Sequence, residues 1–252
     1  MHRLPRLLVI NPNTSADVSK VIDALVREET AGAAKVQTVT AGFGFSYIST
    51  RVAVSIAAHA VLDAAAKAMA EGAEPDAILL ACFGDPGREA LAEMTGLPVI
   101  GFAEAGLLAA AALPGTSLVS TNGSVWCEML GELVLKLGLG DKVAGIRSIE
   151  TVADDTQAIA DFLTHEATAL GADRVVLGGA GLIPGLPGIV ASSRVPILDP
   201  HRAAIGKALN MAATPRANPA PGHHPTETLG LSRFLSDALN RGAAIAPLRR
   251  SA

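Results

Sequence analysis

Short apolar runs that end in loops of small or polar residues recur along this chain, and this pattern constrains the fold most. The runs are 6–10 (RLLVI), 35–40 (KVQTVT), 76–81 (DAILLA), 97–101 (LPVIG), 116–120 (TSLVS), 144–150 (AGIRSIE), 173–178 (DRVVLG) and 195–198 (VPIL). Most lack strict polar–apolar alternation, as strands buried on both faces do. Between them lie segments with helical spacing. Val18, Val21, Ile22, Leu25 and Val26 follow a Thr14 or Ser15 cap, and further candidates lie near 50–71, 86–94, 103–113, 124–137, 154–170 and 201–212. Strands alternating with helices predict βαβ units. Composition agrees: half of the 252 residues are hydrophobic but only 3% are aromatic, and this mass of Ala, Val, Leu and Ile suits helices on parallel strands.

The pattern is used twice. Residues 6–15 (RLLVINPNTS) and 115–124 (GTSLVSTNGS) each read as a strand, a small polar loop and a helix start. Residues 76–87 and 173–185 each read as a strand ending in a Gly-rich loop. The expected class is α/β, with two pseudo-symmetric Rossmann-like lobes. Each has a parallel sheet, and ligand loops at the strands' carboxyl ends face an interlobe cleft. A single doubly wound sheet would give a similar pattern. The expected division is 1–104 with 205–252 for the first lobe and 105–204 for the second. The Pro-rich segment 213–226 reads as a linker or surface loop, its His223 and His224 as solvated loop residues rather than metal ligands. A last helix over 227–241, with Leu229, Leu231, Phe234, Leu235 and Leu239 as its apolar face, is expected to return to the first lobe.

A net charge of −4 and few aromatics argue against nucleic-acid binding. The apolar run in MHRLPRLLVINPN is too short for a signal peptide, and the uncharged stretch 175–193 is too broken by Gly and Pro for a membrane span. The chain is therefore read as soluble and cytoplasmic, with Cys82 and Cys127 free thiols. Segment 178–188 implies close backbone approach to something, yet has neither a P-loop ending nor GxGxxG spacing; zinc patterns, HExxH and GxSxG are absent too. No nucleotide or metal is expected.

Cys82 is the strongest chemical candidate. It follows a strand in DAILLACFGDPGR, where Asp85 reads as a helix N-cap and Pro86 as the first helical residue. A thiol ahead of a helix N-terminus is expected to have a lowered pKa. Cys127, among Val125, Trp126, Met129, Leu130 and Leu133, reads as a structural residue within a helix. The loops 11–15 (NPNTS) and 120–124 (STNGS) offer amides, hydroxyls and backbone N–H groups for an oxyanion, and each also reads as a turn with a cap.

LLVINPNTS, ISTRVAVSIAAHAVLDA, ILLACFGDPG, SLVSTNGSVWCEML and VVLGGAGL, in this order, resemble the aspartate/glutamate/hydantoin racemase superfamily, nearest its hydantoin and allantoin racemases, over roughly residues 6–205. The resemblance implies two α/β lobes, an interlobe site, no cofactor and two cysteines flanking the substrate's acidic carbon. The first matches Cys82; Gly179 stands where the second would be. It implies Asn13, Ile48, Phe83, Thr121, Gly179 and Ala180 as substrate contacts. Asn13 would bond a carboxylate or imide oxygen, Ile48 and Phe83 would form apolar walls, and the N–H groups of Phe83 and Ala180, with Thr121, would hold the oxyanion. Tyr47 is left between lining the cleft and edge packing. His59 and His201 are candidate helpers, His59 more a structural one. The implied substrate is a small carboxylate, hydantoin or ureide, handled by a homo-oligomer. The superfamily also includes arylmalonate decarboxylase, whose single cysteine lies in the second lobe. A first-lobe thiol would protonate the opposite face. A ligand-binding protein without turnover is the non-enzymatic alternative.

Overall fold

The computed structural model describes residues 3–152, 155–214 and 227–241. The first half runs β1 (Arg6–Asn11), α1 (Ala16–Thr30), β2 (Lys35–Thr40), α2 (Arg51–Ala70), β3 (Ala77–Leu80), α3 (Arg88–Thr95), β4 (Val99–Gly101) and α4 (Phe102–Ala111). The second half runs β5 (Ser117–Thr121), α5 (Ser124–Lys136), β6 (Val143–Ser148), α6 (Thr156–Leu170), β7 (Arg174–Leu177), α7 (Leu186–Ser192) and β8 (Ile197–Leu198). α8 (Pro200–Ala213) and α9 (Arg233–Arg241) close the described chain.

These strands form two four-stranded sheets, ordered β2-β1-β3-β4 and β6-β5-β7-β8, parallel throughout. Shifting the numbering by four superimposes one order on the other, so the repeat read in the sequence is a repeat of topology. In both sheets the two inner strands, β1 and β3, β5 and β7, are followed by loops that carry most of the candidate residues, whereas Ile48 lies between the edge strand β2 and α2.

The absence of alternation has a direct cause. Leu7 and Val9 of β1 and Leu79 of β3 face a core shared with Val119 of β5 and Val176 of β7. Leu8, Ile10, Ile78 and Leu80 face outward under α2 and α3 with Val61 and Leu91. Leu118, Val175 and Leu177 pack similarly under α6 and α7, with Leu163 and Ile189. With apolar contacts on both faces, the middles of the inner strands lack alternation, although β5 also buries Ser117, Ser120 and Thr121. The shared core also takes in Phe102 of α4 and Ala204 and Ile205 of α8. α8 packs on α4 and α1 and against β3, so the chain returns to the first sheet after completing the second. α9 packs on α2, where Ser232 hydrogen-bonds Asp63.

Several elements differ from the sequence reading. The last helix starts at Arg233, not 227, because Gly230 takes a left-handed φ of 78° and Ser232 Oγ caps the helix by accepting from Leu235 N–H. Leu229 precedes it and is exposed, whereas Leu235 is buried. β8 shrinks to Ile197–Leu198, since Pro196 has no N–H to give the ladder and Asp199-Pro200 starts α8. The Gly/Pro-rich segment 178–188 contains a 3₁₀ turn, Ala180–Leu182, and the first residues of α7, neither expected. Unlike the stretch 175–193, α2 is broken by no Gly or Pro, and it is long and apolar enough by length and composition to cross a membrane. Here its alanines, Ala57, Ala60, Ala64 and Ala65 among them, are buried. Of the segment 213–226, residues 215–226, with His223 and His224, lie outside the described residues.

Candidate active site

The loop after β1 is a small amide network. Asn11, fully buried, donates through Nδ2 to Asn13 Oδ1 (2.9 Å), to the Ser15 carbonyl (3.1 Å) and to Ser19 Oγ (2.9 Å). Asn13 Oδ1 also accepts from Ser15 N–H at 2.9 Å. With its oxygen engaged twice, Asn13 has its Nδ2 donors left for a ligand. Ser15 caps α1 as expected, accepting from Val18 N–H. Asn11, one of the two amides of the NPNTS loop, thus builds the site from behind Asn13.

The loop after β3 carries Cys82. Trp126 of α5 lies on Gly84, where any Cβ would overlap the indole, and its Nε1 donates to the Ile48 carbonyl at 2.8 Å. Ile48, Ala53, Ala57 and Trp126 form a small apolar cluster against Cys82. Asp85 is not the N-cap of the following helix. α3 begins at Arg88 after Gly87, with no side-chain cap. Asp85 instead takes a left-handed φ of 49° and turns back to α4, accepting from Ala103 N–H (3.0 Å) and Glu104 N–H (2.7 Å). Gly101, at the N-cap position of α4, has no side chain of its own, and a Cβ there would overlap the Asp85 carboxylate. A distant residue thus caps the helix, and the cap braces the Cys82 loop.

This arrangement reverses the expected electrostatics of the thiol. Burial pushes Cys82 well above the usual thiol range, and the negative charge of Asp85 pushes the same way. The helix that was to lower its pKa starts six residues later, and the loop between brings a carboxylate closer. Burial also pushes Asp85 up to about 7, against the N–H groups of Glu104 and Ala103 and the charge of Arg88.

The loops after β5 and β7 complete the site. Thr121, nearly buried, ends β5. After β7, Gly178 has Phe83 packed on it so closely that a Cβ would overlap the ring. Gly179 has φ 144° and ψ 123°, a conformation that side chains rarely adopt. Its N–H donates to His201 Nε2 at 3.4 Å.

Asn13, Ile48, Cys82, Phe83, Thr121, Gly179 and Ala180 all line one cavity of about 270 Å³ between the two sheets' loops. Ser46, Tyr47, Asn122, Trp126 and Leu182 line it too. Apart from the thiol and the Tyr47 phenol, no ionisable side chain is among them. Among the described residues, the N–H groups of Phe83 and Ala180 have no acceptor in the protein. Tyr47 resolves as a lining residue, its Oη reaching across to the Asn122 carbonyl at 3.4 Å. His59 lies elsewhere, edge-on to Phe43 in a groove between α2, α3 and α9. His201 is fully buried and stands behind Gly179. Cys127 sits on α5 and does not line the cavity.

The Asp/Glu/Hydantoin racemase family model matches residues 7–208. The chain belongs to this family. Its fold and sequence are those of a racemase-type isomerase. The hydantoin racemase of Paenarthrobacter aurescens is 30% identical over 217 residues, covering 82% of this chain and 91% of that relative. The hydantoin racemase of Pseudomonas sp. (strain NS671) is 28% identical over 202 residues, covering 77% and 80%. Among solved structures, an allantoin racemase from Klebsiella pneumoniae superimposes with a TM-score of 0.77 at 25% identity, covering 92% of this chain and 98% of that one. Unliganded arylmalonate decarboxylase shares the fold, with a TM-score of 0.56 at 21% identity over 83% and 93% of the two chains.

Proposed function

We propose that this protein is a cofactor-independent hydantoin-racemase-type enzyme that moves a proton at the activated carbon of a small hydantoin or ureide, with Cys82 as its single thiol acid/base. The observation that carries this reading is the placement of Cys82 in an uncharged cavity onto which unpaired donors open, in a chain of this family. The Asn13 amide would donate to a ring or carboxylate oxygen. The N–H groups of Phe83 and Ala180, with the Thr121 hydroxyl, would hold the oxyanion that forms when the carbon loses its proton. Ile48 and Phe83 would supply apolar walls, and Gly179 would leave room on the opposite face. A cavity of about 270 Å³ lies below the roughly 300–1,000 Å³ of drug-sized pockets and suits a small substrate. Its lack of a cationic side chain favours a neutral ring over a dicarboxylate, because a carboxylate buried without a partner is costly.

In this reading the Cys82 thiolate takes the carbon-bound proton, leaving an enolate, and returns a proton to the same face. With Gly179 opposite, inversion depends on water delivering a proton to the other face. Incubation with each enantiomer of a 5-substituted hydantoin in D₂O tests this. One enantiomer is expected to exchange its C5 hydrogen faster than it racemises, while equal exchange of both hands at the racemisation rate would sink the single-thiol reading.

One observation favours a second reading. Burial and the Asp85 charge push the Cys82 thiol up, which favours its use as an acid before a base. It could protonate an enediolate left when a malonate-type substrate loses carbon dioxide, from the first-lobe face. Carbon dioxide release from an arylmalonate distinguishes the two reactions. The pH profile does so as well. A thiolate base gains rate as pH rises toward the elevated thiol pKa, whereas a thiol acid loses rate there.

A further inference from the structure

Gly179 has no side chain, so its loop can be fixed there only through its backbone. Both backbone groups are engaged: the carbonyl accepts from Leu182 N–H at 2.9 Å, and the N–H donates to His201 Nε2 at 3.4 Å. His201 is fully buried, with its ring edge-on to Phe102 at 4.9 Å between centroids. Its other nitrogen, Nδ1, lies 2.7 Å from Asp199 Oδ1. That carboxylate also accepts from His201 N–H at 2.8 Å and Arg202 N–H at 3.4 Å as the N-cap of α8, and Arg202 Nε approaches its second oxygen at 3.5 Å. Burial opposes ionisation of Asp199, but hydrogen bonds from the His201 ring and from the His201 and Arg202 N–H groups hold the carboxyl below its ordinary range.

The geometry assigns His201 one tautomer. Asp199 accepts, so Nδ1 carries the proton; Gly179 donates, so Nε2 is bare. We propose that the Asp199–His201 pair is a positioning device for the second-face loop, in which the bare Nε2 draws the Gly179 N–H inward and leaves the Ala180 N–H as the donor to the substrate's oxyanion. The role of Ala180 rests on the proton-transfer reading above; the tautomer and the tie to Gly179 do not. A buried imidazole polar at both ends is an expensive way to fill a core position that Leu could occupy, and the tie to the loop gives it a reason to be there. His201 never reaches the substrate; it acts through Gly179.

The decisive measurement is the imidazole nitrogen spectrum of the ¹⁵N-labelled full chain. A protonated Nδ1 and a bare Nε2 on His201 are expected, and an Nε2–H tautomer or a doubly protonated ring at the pH of activity overturns the proposal. Two variants give the functional arm, read as C5 exchange or, failing that, carbon dioxide release. His201→Gln keeps an acceptor near Nε2 and is expected to retain kcat within a few-fold. His201→Leu keeps the bulk without the acceptor and is expected to lose about tenfold to a hundredfold in kcat, with KM little changed. Equal losses in both variants would leave only a packing role and overturn the inference. If His201→Leu does not fold, or if neither substrate class turns over, the tautomer of the native protein still decides it.

Discussion

The loops after β3 and β7 hold equivalent places in two sheets of the same order, yet they are anchored by different means. The Cys82 loop is held by side chains: Trp126 on Gly84, the Ile48 cluster beside the thiol, and Asp85 locked onto the start of α4. The Gly179 loop is held through its backbone, by His201 behind it and by Phe83 lying on Gly178. Each loop is thus packed by an aromatic ring from the other half of the molecule. Cys82, the proposed reactive group, stands on the loop braced by side chains, and the proposal gives the opposing loop the role of space and backbone donors. A difference of this kind turns a symmetric scaffold into a site with two unequal faces.

Removing the thiol tests the asymmetry most severely. Cys82→Ala is expected to lower turnover by about 10²–10⁴-fold, the contribution of a positioned acid or base, while Cys127→Ala leaves it unchanged. Hydrogen exchange into substrate reads both, and parity of the two variants would abolish the distinction between the thiols.

The reciprocal aromatic contacts come next. Gly84→Ala and Gly178→Ala each drive a Cβ into a ring, Trp126 in the first case and Phe83 in the second. Overpacking of this kind costs about 1–3 kcal/mol. Denaturant unfolding should show both losses, and a neutral result at either position would mean that its ring is free to move aside.

Gly179→Cys attempts to restore symmetry. A Cβ there meets Leu182 Cδ1 at 3.5 Å and Thr121 Oγ1 at 3.9 Å, ordinary contacts, so space is available. The backbone is the obstacle: φ of 144° suits glycine, and a side chain held there is expected to cost about 1–3 kcal/mol. The variant should be less stable by that amount and should racemise faster relative to one-handed exchange, both measurable on one preparation.

The pH dependence of stability tests Asp85. Its folded-state pKa is raised from 3.8 to about 7, so the protonated form favours the fold. That contribution is complete below about pH 4 and is lost as the pH rises through about 7. Asp85→Asn has no such ionisation and should flatten the stability profile across this window. An unchanged slope would show that Asp85 is already ionised at the bottom of it.

Much of the architecture was legible because burial on both faces leaves a local signature. Runs such as LLVI and AILL are apolar at every position, and a cap at Thr14 or Ser15 follows from their place before an amphipathic segment, the structure using Ser15. The two sets of strand-and-loop units at 6–15 and 115–124, and at 76–87 and 173–185, foreshadowed two sheets of like topology. The residues gathered by family resemblance, Asn13 through Ala180, are brought to one cavity. Features that depend on partners distant in the chain were not legible. Asp85-Pro86 has the local grammar of a helix start, but its carboxylate is claimed by α4, eighteen residues on. The lone Trp126 was read as part of a helix pattern; its contact with Gly84 depends on how the two halves meet.

The sequence by itself determined the repeated βα order and the choice of Cys82 as the candidate reactive group, because these follow from local patterning and residue identity; the pairing of Cys82 with Gly179 is what the family resemblance implies. Tertiary structure alone decided the direction in which burial and Asp85 shift that thiol, and the anchoring of Gly179 by a histidine twenty-two residues away. Both depend on the distance between groups that only the closed fold brings together, and on the low-dielectric interior in which such distances carry energetic weight.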